Sequence, residues 1–320
     1  MSITITGGFT MAGGGFTLVA APTQATASWF GGGYTPSPVA LQRSIVDRIT
    51  YATDTATATV RGPLSQGAYY SSATGTLTYG WYALGSSTSG TSSVITRITY
   101  ATDSATTTNR GGLPGPVYAM AASTDSTTYG WFAGGISPPT SSVQRITFAT
   151  DTNATTPKGP LSLARYSSAG TSTTSYGWFG GGKNPSPAGI STVDRIDYSN
   201  DTATASVRGP LSSARWYHAA SGDGTTYGYY VAGRDDLVAL TSITRITYAT
   251  DTATSTNRGL YIIDVRNLAG SGNSTYGYFG AGANISSVGR IDYSNDTATA
   301  ATKGPLSAAR YALGSSSGQQ

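Results

Sequence analysis

The sequence predicts an all-β protein assembled from six near-copies of one small antiparallel sheet. Three observations carry this. First, a pattern recurs along the chain: an aromatic strand ending in glycines, an Arg-led strand, an aspartate turn, a Thr/Ala strand and a Gly-Pro-Leu corner. Second, each marker returns after 45 to 52 residues, and six is the count by every marker. Third, glutamate is absent and strong helix formers other than Ala are scarce, while Thr, Tyr, Val and Ile suit a pleated surface. Almost no helix is expected. A fixed period of this length indicates stacked supersecondary units, and it overrides the two-domain expectation that 320 residues would otherwise suggest.

Residues 1–27 match the repeat poorly and are assigned as an N-terminal arm. Within it, residues 3–9 alternate apolar and small side chains, Gly13, Gly14 and Gly15 interrupt, and 16–21 form a short apolar strand candidate. Residues 28–320 carry the repeats. The clearest unit runs from Tyr176 to Arg215. Its aromatic strand holds Tyr176, Trp178 and Phe179 before Gly180, Gly181 and Gly182. Its second strand reads Asp194-Arg195-Ile196-Asp197-Tyr198, Asn200-Asp201 turns the chain, and a Thr/Ala strand is expected over 202–207. The corner Arg208-Gly209-Pro210-Leu211 leads to a fourth strand beginning near Arg215.

Strand alternation puts Ile196 and Tyr198 on one face, Arg195 and Asp197 on the other, and Tyr176 with Trp178 on a shared face. Four short strands cannot bury both faces of their own sheet. Stacking the units radially and closing the ring covers both faces and leaves short, protected edges. The expectation is therefore a six-bladed β-propeller with four antiparallel strands per blade. The ends of the chain indicate how it closes. The last repeat supplies an innermost strand at Arg310-Tyr311-Ala312-Leu313-Gly314, and the strand that should follow it is Ser28-Trp29-Phe30-Gly31. A C-terminal strand pairing beside Trp29 is expected, with 16–21 as the rival for the same place.

The pattern resembles the kelch repeat on Gly181-Gly182, Tyr198 and Arg215, over residues 28–320. It departs from that family in lacking the Trp of the outer strand, where Ala205 and Val207 stand, so a thinly packed outer strand is expected. The resemblance implies a propeller and no fixed function. The wording of the repeats (DRIDYSNDTATA, RGPLSSAR) is also similar to repeat proteins carried by tailed bacteriophages of marine bacteria.

Charge and composition narrow the function. The net charge is +4, but 16 of the 19 basic residues sit at repeat positions. Charges spaced evenly round a ring do not make the clustered stripe that phosphate backbones require, so nucleic acid is not an expected partner. No cysteine occurs, which removes disulfides and thiolate metal sites. The N-terminus carries no basic segment before Arg43 and no apolar run long enough for a bilayer, so neither a secretory signal nor membrane insertion is expected. No catalytic residue, cofactor or metal is assigned. Copper-radical oxidases related to kelch proteins need a Cys–Tyr cross-link and histidines, and sialidases pair a Tyr nucleophile with a Glu. Here Cys and Glu are absent and His218 is the one histidine. The Asn-Asp turns lack the oxygen-rich spacing of a calcium loop and read as side-chain-stabilised turns.

Six arginines of the second strand, Arg48, Arg97, Arg145, Arg195, Arg245 and Arg290, could ring a channel and bind an anion. The expectation is structural: each pairs with a turn aspartate or with carbonyls between blades. Six more cations precede the corners, and Arg165, Arg215, Arg266 and Arg310 open the fourth strands. Candidate binding residues lie where the repeats disagree. These are Tyr34 and Arg43 in the longest loop, which also holds Pro36 and Pro38; Lys183 and Asn184; Arg234, Asp235 and Asp236; and Tyr261 in an altered corner. Pro114-Gly115-Pro116-Val117 alters another corner. In the kelch strand order these loops and corners share one rim, and binding residues concentrate on variable loops held by a rigid scaffold. For a sugar site the aromatic candidates are Tyr34, Tyr230 and Tyr261. The function expected is a non-enzymatic virion structural protein of a tailed phage, assembled in the host cytoplasm. It would attach to other virion proteins through residues 1–27 and adhere to a host-surface glycan or protein through the loop rim. A homo-oligomer fits this role. The alternative is a cellular carbohydrate- or peptide-binding propeller.

Overall fold

Runs of aromatic and β-branched residues ending in glycines form the second strand of each sheet, and runs of Ala, Ser, Thr and Gly form the inner strands. In the computed structural model, residues 9–12, 15–18, 24–36, 40–186 and 188–317 are described, the first two stretches by their backbone alone. The fold is all-β, with repeated four-stranded antiparallel sheets in a propeller-like array. Among the described residues, helix is limited to three-residue 3₁₀ turns such as Tyr198–Asn200.

Six sheets have four strands each. The fourth, in chain order, runs Ala169–Ser172, Tyr176–Gly180, Val193–Asp197 and Ser206–Arg208 from inside to outside. The second, third, fifth and sixth repeat this order, with inner strands Ser72–Gly75, Ala121–Thr124, Ala219–Gly222 and Ala269–Gly272. The first sheet is assembled from both ends of the chain. The C-terminal strand Gly314–Ser316 pairs antiparallel with Ala27–Gly31, placing Trp29 opposite Ser316. The rival strand does not take that place: Gly15–Leu18 pairs with Phe9–Ala12 as a separate hairpin, and the rest of 16–21 lies outside the described residues. The strand that pairs with the C-terminal one opens at Ala27. Ala25 and Ala27 are buried, and the Thr26 carbonyl accepts a hydrogen bond from the Tyr51 amide.

Two further expectations are corrected. The outer strand is Ser206–Arg208 and not the longer 202–207, because Thr202 and Ala203 still belong to the turn. Val207 is 59% exposed there, while Ala205 is buried. The inner strand starts at Ala219, since Arg215 and Tyr217 are spent in turning the corner. The corner glycines are fixed by a close approach. A Cβ on Gly209 would lie 2.0 Å from the Ala253 carbonyl oxygen of the next sheet, and the Gly209 amide donates to Asp251 O at 2.8 Å.

No single sheet closes on itself; the sheets are joined side by side by one repeated contact. Each turn aspartate accepts from groups of the preceding sheet. Asp201 takes Trp131 Nε1 at 3.0 Å, Arg145 Nη1 at 3.0 Å and Lys158 Nζ at 3.1 Å. The set recurs with an arginine Nε in place of the lysine at Asp103, Asp151 and Asp251, and at Asp296 with a tyrosine hydroxyl also in place of the indole. The sixth member runs back to the front of the chain: Tyr278, Arg290 and Lys303 all reach Asp54. Burial pushes the Asp54 carboxyl up, but the Tyr278 and Lys303 bonds and the Arg290 and Lys303 charges outweigh it and hold the group below its usual range. Each aromatic also stacks on the ring before the aspartate turn, as Trp131 on Tyr198 at 3.8 Å between centroids and Tyr278 on Tyr51 at 4.7 Å. Burying such a ring contributes about 1.5–3 kcal/mol, and its stack about 0.5–1.5 kcal/mol more. All six second-strand arginines are therefore clamps between sheets. The surface where the six inner strands converge is lined by small residues, among them Ser72, Ala121, Ala169, Ala220, Gly270 and Gly314, around a narrow space of about 90 Å³.

Candidate functional site

A second circular feature crowns this convergence. The residue two positions before each inner strand adopts a left-handed backbone: Tyr70, Ala119, Ser167, Tyr217, Asn267 and Ala312, with φ between 53° and 60°. Their amides and carbonyls form a continuous cycle. Ala119 N–H donates to Tyr70 O, Ser167 to Ala119, Tyr217 to Ser167, Asn267 to Tyr217, Ala312 to Asn267, and Tyr70 back to Ala312, at 2.7 to 3.2 Å. The left-handed turn is what aims each N–H sideways at the neighbouring sheet. Tyrosine is costly in this conformation. Tyr70 and Tyr217 adopt it in the second and fifth sheets, and their rings meet across the mouth at 5.9 Å between centroids.

The residue before each left-handed position is also aromatic in five repeats: Tyr69, Tyr118, Tyr166, Trp216 and Tyr311. The sixth is Arg266. These residues bridge to the loops that follow the glycine strands, as Tyr166 to Lys183, Trp216 to Arg234 and Tyr311 to Tyr34. The variable loops and the variable corners thus lie together on one rim. Tyr34, Tyr69, Tyr70, Tyr118, Tyr217 and Tyr311 form a contiguous, half-buried cluster with centroid spacings of 4.9 to 5.9 Å. Burial, then neighbouring phenols, push Tyr70 and Tyr311 above the ordinary phenol range, so these hydroxyls stay protonated and can donate as well as accept.

Beside this cluster lies a recess of about 530 Å³ lined by Tyr70, Tyr217, Arg266, Asn267, Ala283, Asn284 and Tyr311. The Oδ1 atoms of Asn267 and Asn284 are buried and have no hydrogen-bond partner among the described residues. Beneath the tyrosines, His218 is buried with neither ring nitrogen in a hydrogen bond of sound geometry. Burial, followed by the charge of Arg215, pushes its pKa down to about 3, so the imidazole is neutral at physiological pH.

The sequence candidates divide. Tyr34 joins the tyrosine cluster, and Arg43 lies beside it, donating from Nε to Thr35 Oγ1 at 3.1 Å. Lys183 and Arg234 flank the buried Trp216 ring, 4.8 and 5.3 Å from its centroid. Asn184 presents a buried, unpartnered Oδ1. Asp235 is held low by the amides of Val238 and Leu237, which its carboxylate accepts, and Asp236 accepts the Gly189 amide at 3.3 Å. Pro38 lies outside the described residues. Tyr261 and Tyr230 are corrected: both are buried, Tyr261 donating to Phe279 O at 2.6 Å and Tyr230 to Trp178 O at 3.2 Å. Arg266 is corrected too. Val265 fills the position of Arg165, Arg215 and Arg310, and Arg266 stands exposed at the rim.

Sequence reasoning missed Tyr69, Tyr70, Tyr118, Tyr166, Tyr217 and Tyr311. The available signal was an aromatic directly after the corner in five of six repeats, a position that no buried strand face requires. Among the described residues no group of three or more His, Cys, Asp or Glu side chains is placed to hold a metal ion, and no helix is long and apolar enough to cross a membrane. No protein-family model matches this sequence, and no curated protein matches it.

Proposed function

We propose that the six sheets are the blades of one six-bladed β-propeller, closed by its C-terminal strand, and that the protein is a non-enzymatic binding module whose tyrosine-rich rim engages a glycan. The circular hydrogen-bond belt at the channel mouth and the return of the sixth aspartate clamp to Asp54 support the ring. The tyrosine cluster over that mouth is the observation that carries the binding role. Flat, half-buried rings that carry hydroxyls suit ligands that present both C–H faces and hydroxyls. Tyrosine also supplies contact area at low cost in side-chain entropy.

The setting we propose is the surface of a tailed-phage particle, with kelch-like blades and attachment to other virion proteins through residues 1–27. It rests on the wording of the repeats, and the hairpin at Phe9–Ala12 and Gly15–Leu18, which joins none of the six sheets, agrees with it. Two measurements test the reading. A glycan microarray probed with the intact chain should show binding that Tyr217→Ala abolishes; binding unchanged in that variant removes the rim from the function. Mass spectrometry of purified particles should find the chain in virions; its confinement to the lysate removes the virion setting.

A further inference from the structure

We infer that the recess beside the tyrosine cluster takes a carboxylated sugar residue, with Arg266 holding the carboxylate. This rests on the rim being a glycan-binding face and adds the chemical class of the glycan.

The first observation is where positive charge is left unpaired. Of the 19 lysines and arginines, 14 have a carboxylate within 4.0 Å. A fifteenth, Arg215, is buried and bonded to carbonyls and to the Ser213 and Ser242 hydroxyls. The other four, Arg43, Lys183, Arg234 and Arg266, all stand on the tyrosine rim without a carboxylate that close among the described residues. Asp235 and Asp236 share that rim, but their carboxylates accept backbone amides, and the exposed Asp264 has no cation within 4.0 Å among the described residues.

Arg266 alone of these four lines the recess, and it does so at a position that is aromatic in every other repeat. The same recess is lined by Tyr70, Tyr217 and Tyr311, and by Asn267 and Asn284, whose buried Oδ1 atoms have no partner among the described residues. The donor–acceptor balance selects the ligand. A buried amide oxygen without a donor is unfavourable until something donates to it. A sugar hydroxyl does so once the Asn267 and Asn284 side chains turn toward the recess, whereas an ionised phosphate carries no donor for both asparagines. One planar guanidinium matches one carboxylate in a two-pronged bond, and the tyrosine faces accept the C–H face of a pyranose ring. A recess of about 530 Å³ falls within the usual span of ligand pockets, roughly 300–1,000 Å³.

The test is titration calorimetry on the intact chain with tri-galacturonic acid and sialyllactose, against maltotriose and lactose as neutral controls and a poly-aspartate peptide. The variants are Arg266→Met, Lys183→Met and Tyr217→Ala, each checked for an unchanged melting temperature. One or both acidic saccharides should bind at least tenfold tighter than the neutral ones. Arg266→Met should remove that preference and Lys183→Met should retain it. Equal affinity for neutral and acidic sugars, abolished by Tyr217→Ala, overturns the carboxylate assignment and leaves the glycan-binding rim standing. Binding of the peptide through Arg266 with no saccharide bound overturns the sugar. The absence of any binding that depends on Tyr217 overturns both.

Discussion

The single histidine offers a direct test of the packing beneath the tyrosine cluster. His218 is 5% exposed, and burial and the Arg215 charge bring its pKa from 6.5 down to about 3, with the Gly180 backbone opposing. In the unfolded chain the imidazole takes a proton as the pH falls through about 6.5; in the folded chain it does not until about 3. The unfolded state therefore binds the extra proton in between. Stability is full above 6.5, falls steadily below it, and stops falling on this account near 3. At pH 5 the gap is about 1.5 pH units, which corresponds to a loss of about 2 kcal/mol relative to pH 7.5. That pH lies above the ordinary aspartate range of about 3.9, so the carboxylates contribute little to the slope. Urea unfolding at pH 7.5 and pH 5.0 should show this loss in the native chain and its near-disappearance in His218→Leu. The proton NMR signal of the imidazole C2–H should hold its position from pH 7.5 to 4.5. A signal that titrates near 6.5, or an equal loss of stability in His218→Leu, would refute the buried, neutral assignment.

The clamps between sheets and the joining of the chain ends give two more expectations. Asp201→Ala leaves Trp131, Arg145 and Lys158 without their shared acceptor. The cost should be about 3 kcal/mol, the low end for a broken buried pair, since the Arg145 side chain retains 20% exposure. Asp201→Asn keeps one acceptor oxygen and should cost less, about 1–2 kcal/mol. Chemical denaturation reads both, and a change under about 0.5 kcal/mol for Asp201→Ala would mean that these pairs behave as solvated surface pairs. Ending the chain after Ala312 removes the strand paired to Ala27–Gly31 and exposes the edge carrying Trp29. Hydrogen exchange should then accelerate at the amides of 27–31 and around Tyr82, whose hydroxyl loses Ser316, ahead of the fourth sheet; uniform exchange across the chain would argue against a local seam.

Much of the fold was legible because each repeat spells out the same local rules. Tyr176, Trp178 and Phe179 alternate faces and stop at glycines, so their strand and its end could be read directly. Arg195 had to meet a carboxylate once buried beside aromatics, and it does, on Asp251. Three kinds of information were not local. The aspartate after the 3₁₀ turn reads as a turn-former, yet its carboxylate serves the neighbouring sheet, a contact some fifty residues away that no short-range pattern encodes. The left-handed positions pass unnoticed because Tyr70 and Tyr217 are poor residues for that backbone; only the sideways hydrogen bond explains them. The alignment of Arg266 with Arg215 fails by one residue, and a shift of one exchanges a buried position for the rim.

That one-residue shift has a physical origin in the core. In three sheets an arginine reaches across the corner to the carbonyl of the second aromatic of the glycine strand: Arg310 to Phe30 O, Arg165 to Phe179 O and Arg215 to Tyr230 O. Arg310 and Arg165 have Asp47 and Asp194 beside them, both pairs fully buried. In the sixth sheet the same carbonyl, Phe279 O, is bonded by the hydroxyl of Tyr261. The ring needs the space of the missing carboxylate, and the residue there is Gly289, where a Cβ would lie 2.4 Å from the Tyr261 ring. With the carbonyl satisfied, the corner position can be the apolar Val265. The arginine that follows is then free of structural duty and faces outward among tyrosines. In the third sheet Val117 also replaces the arginine, and Gln144 stands where the aspartate would be, but no tyrosine fills the gap. An apolar cleft of about 300 Å³ remains there, walled by Leu113, Pro116, Phe132 and Pro138. The sixth sheet thus departs from the repeat twice at one corner: Tyr261 fills it from below in place of an arginine, and Arg266 stands at the rim where the other repeats carry an aromatic.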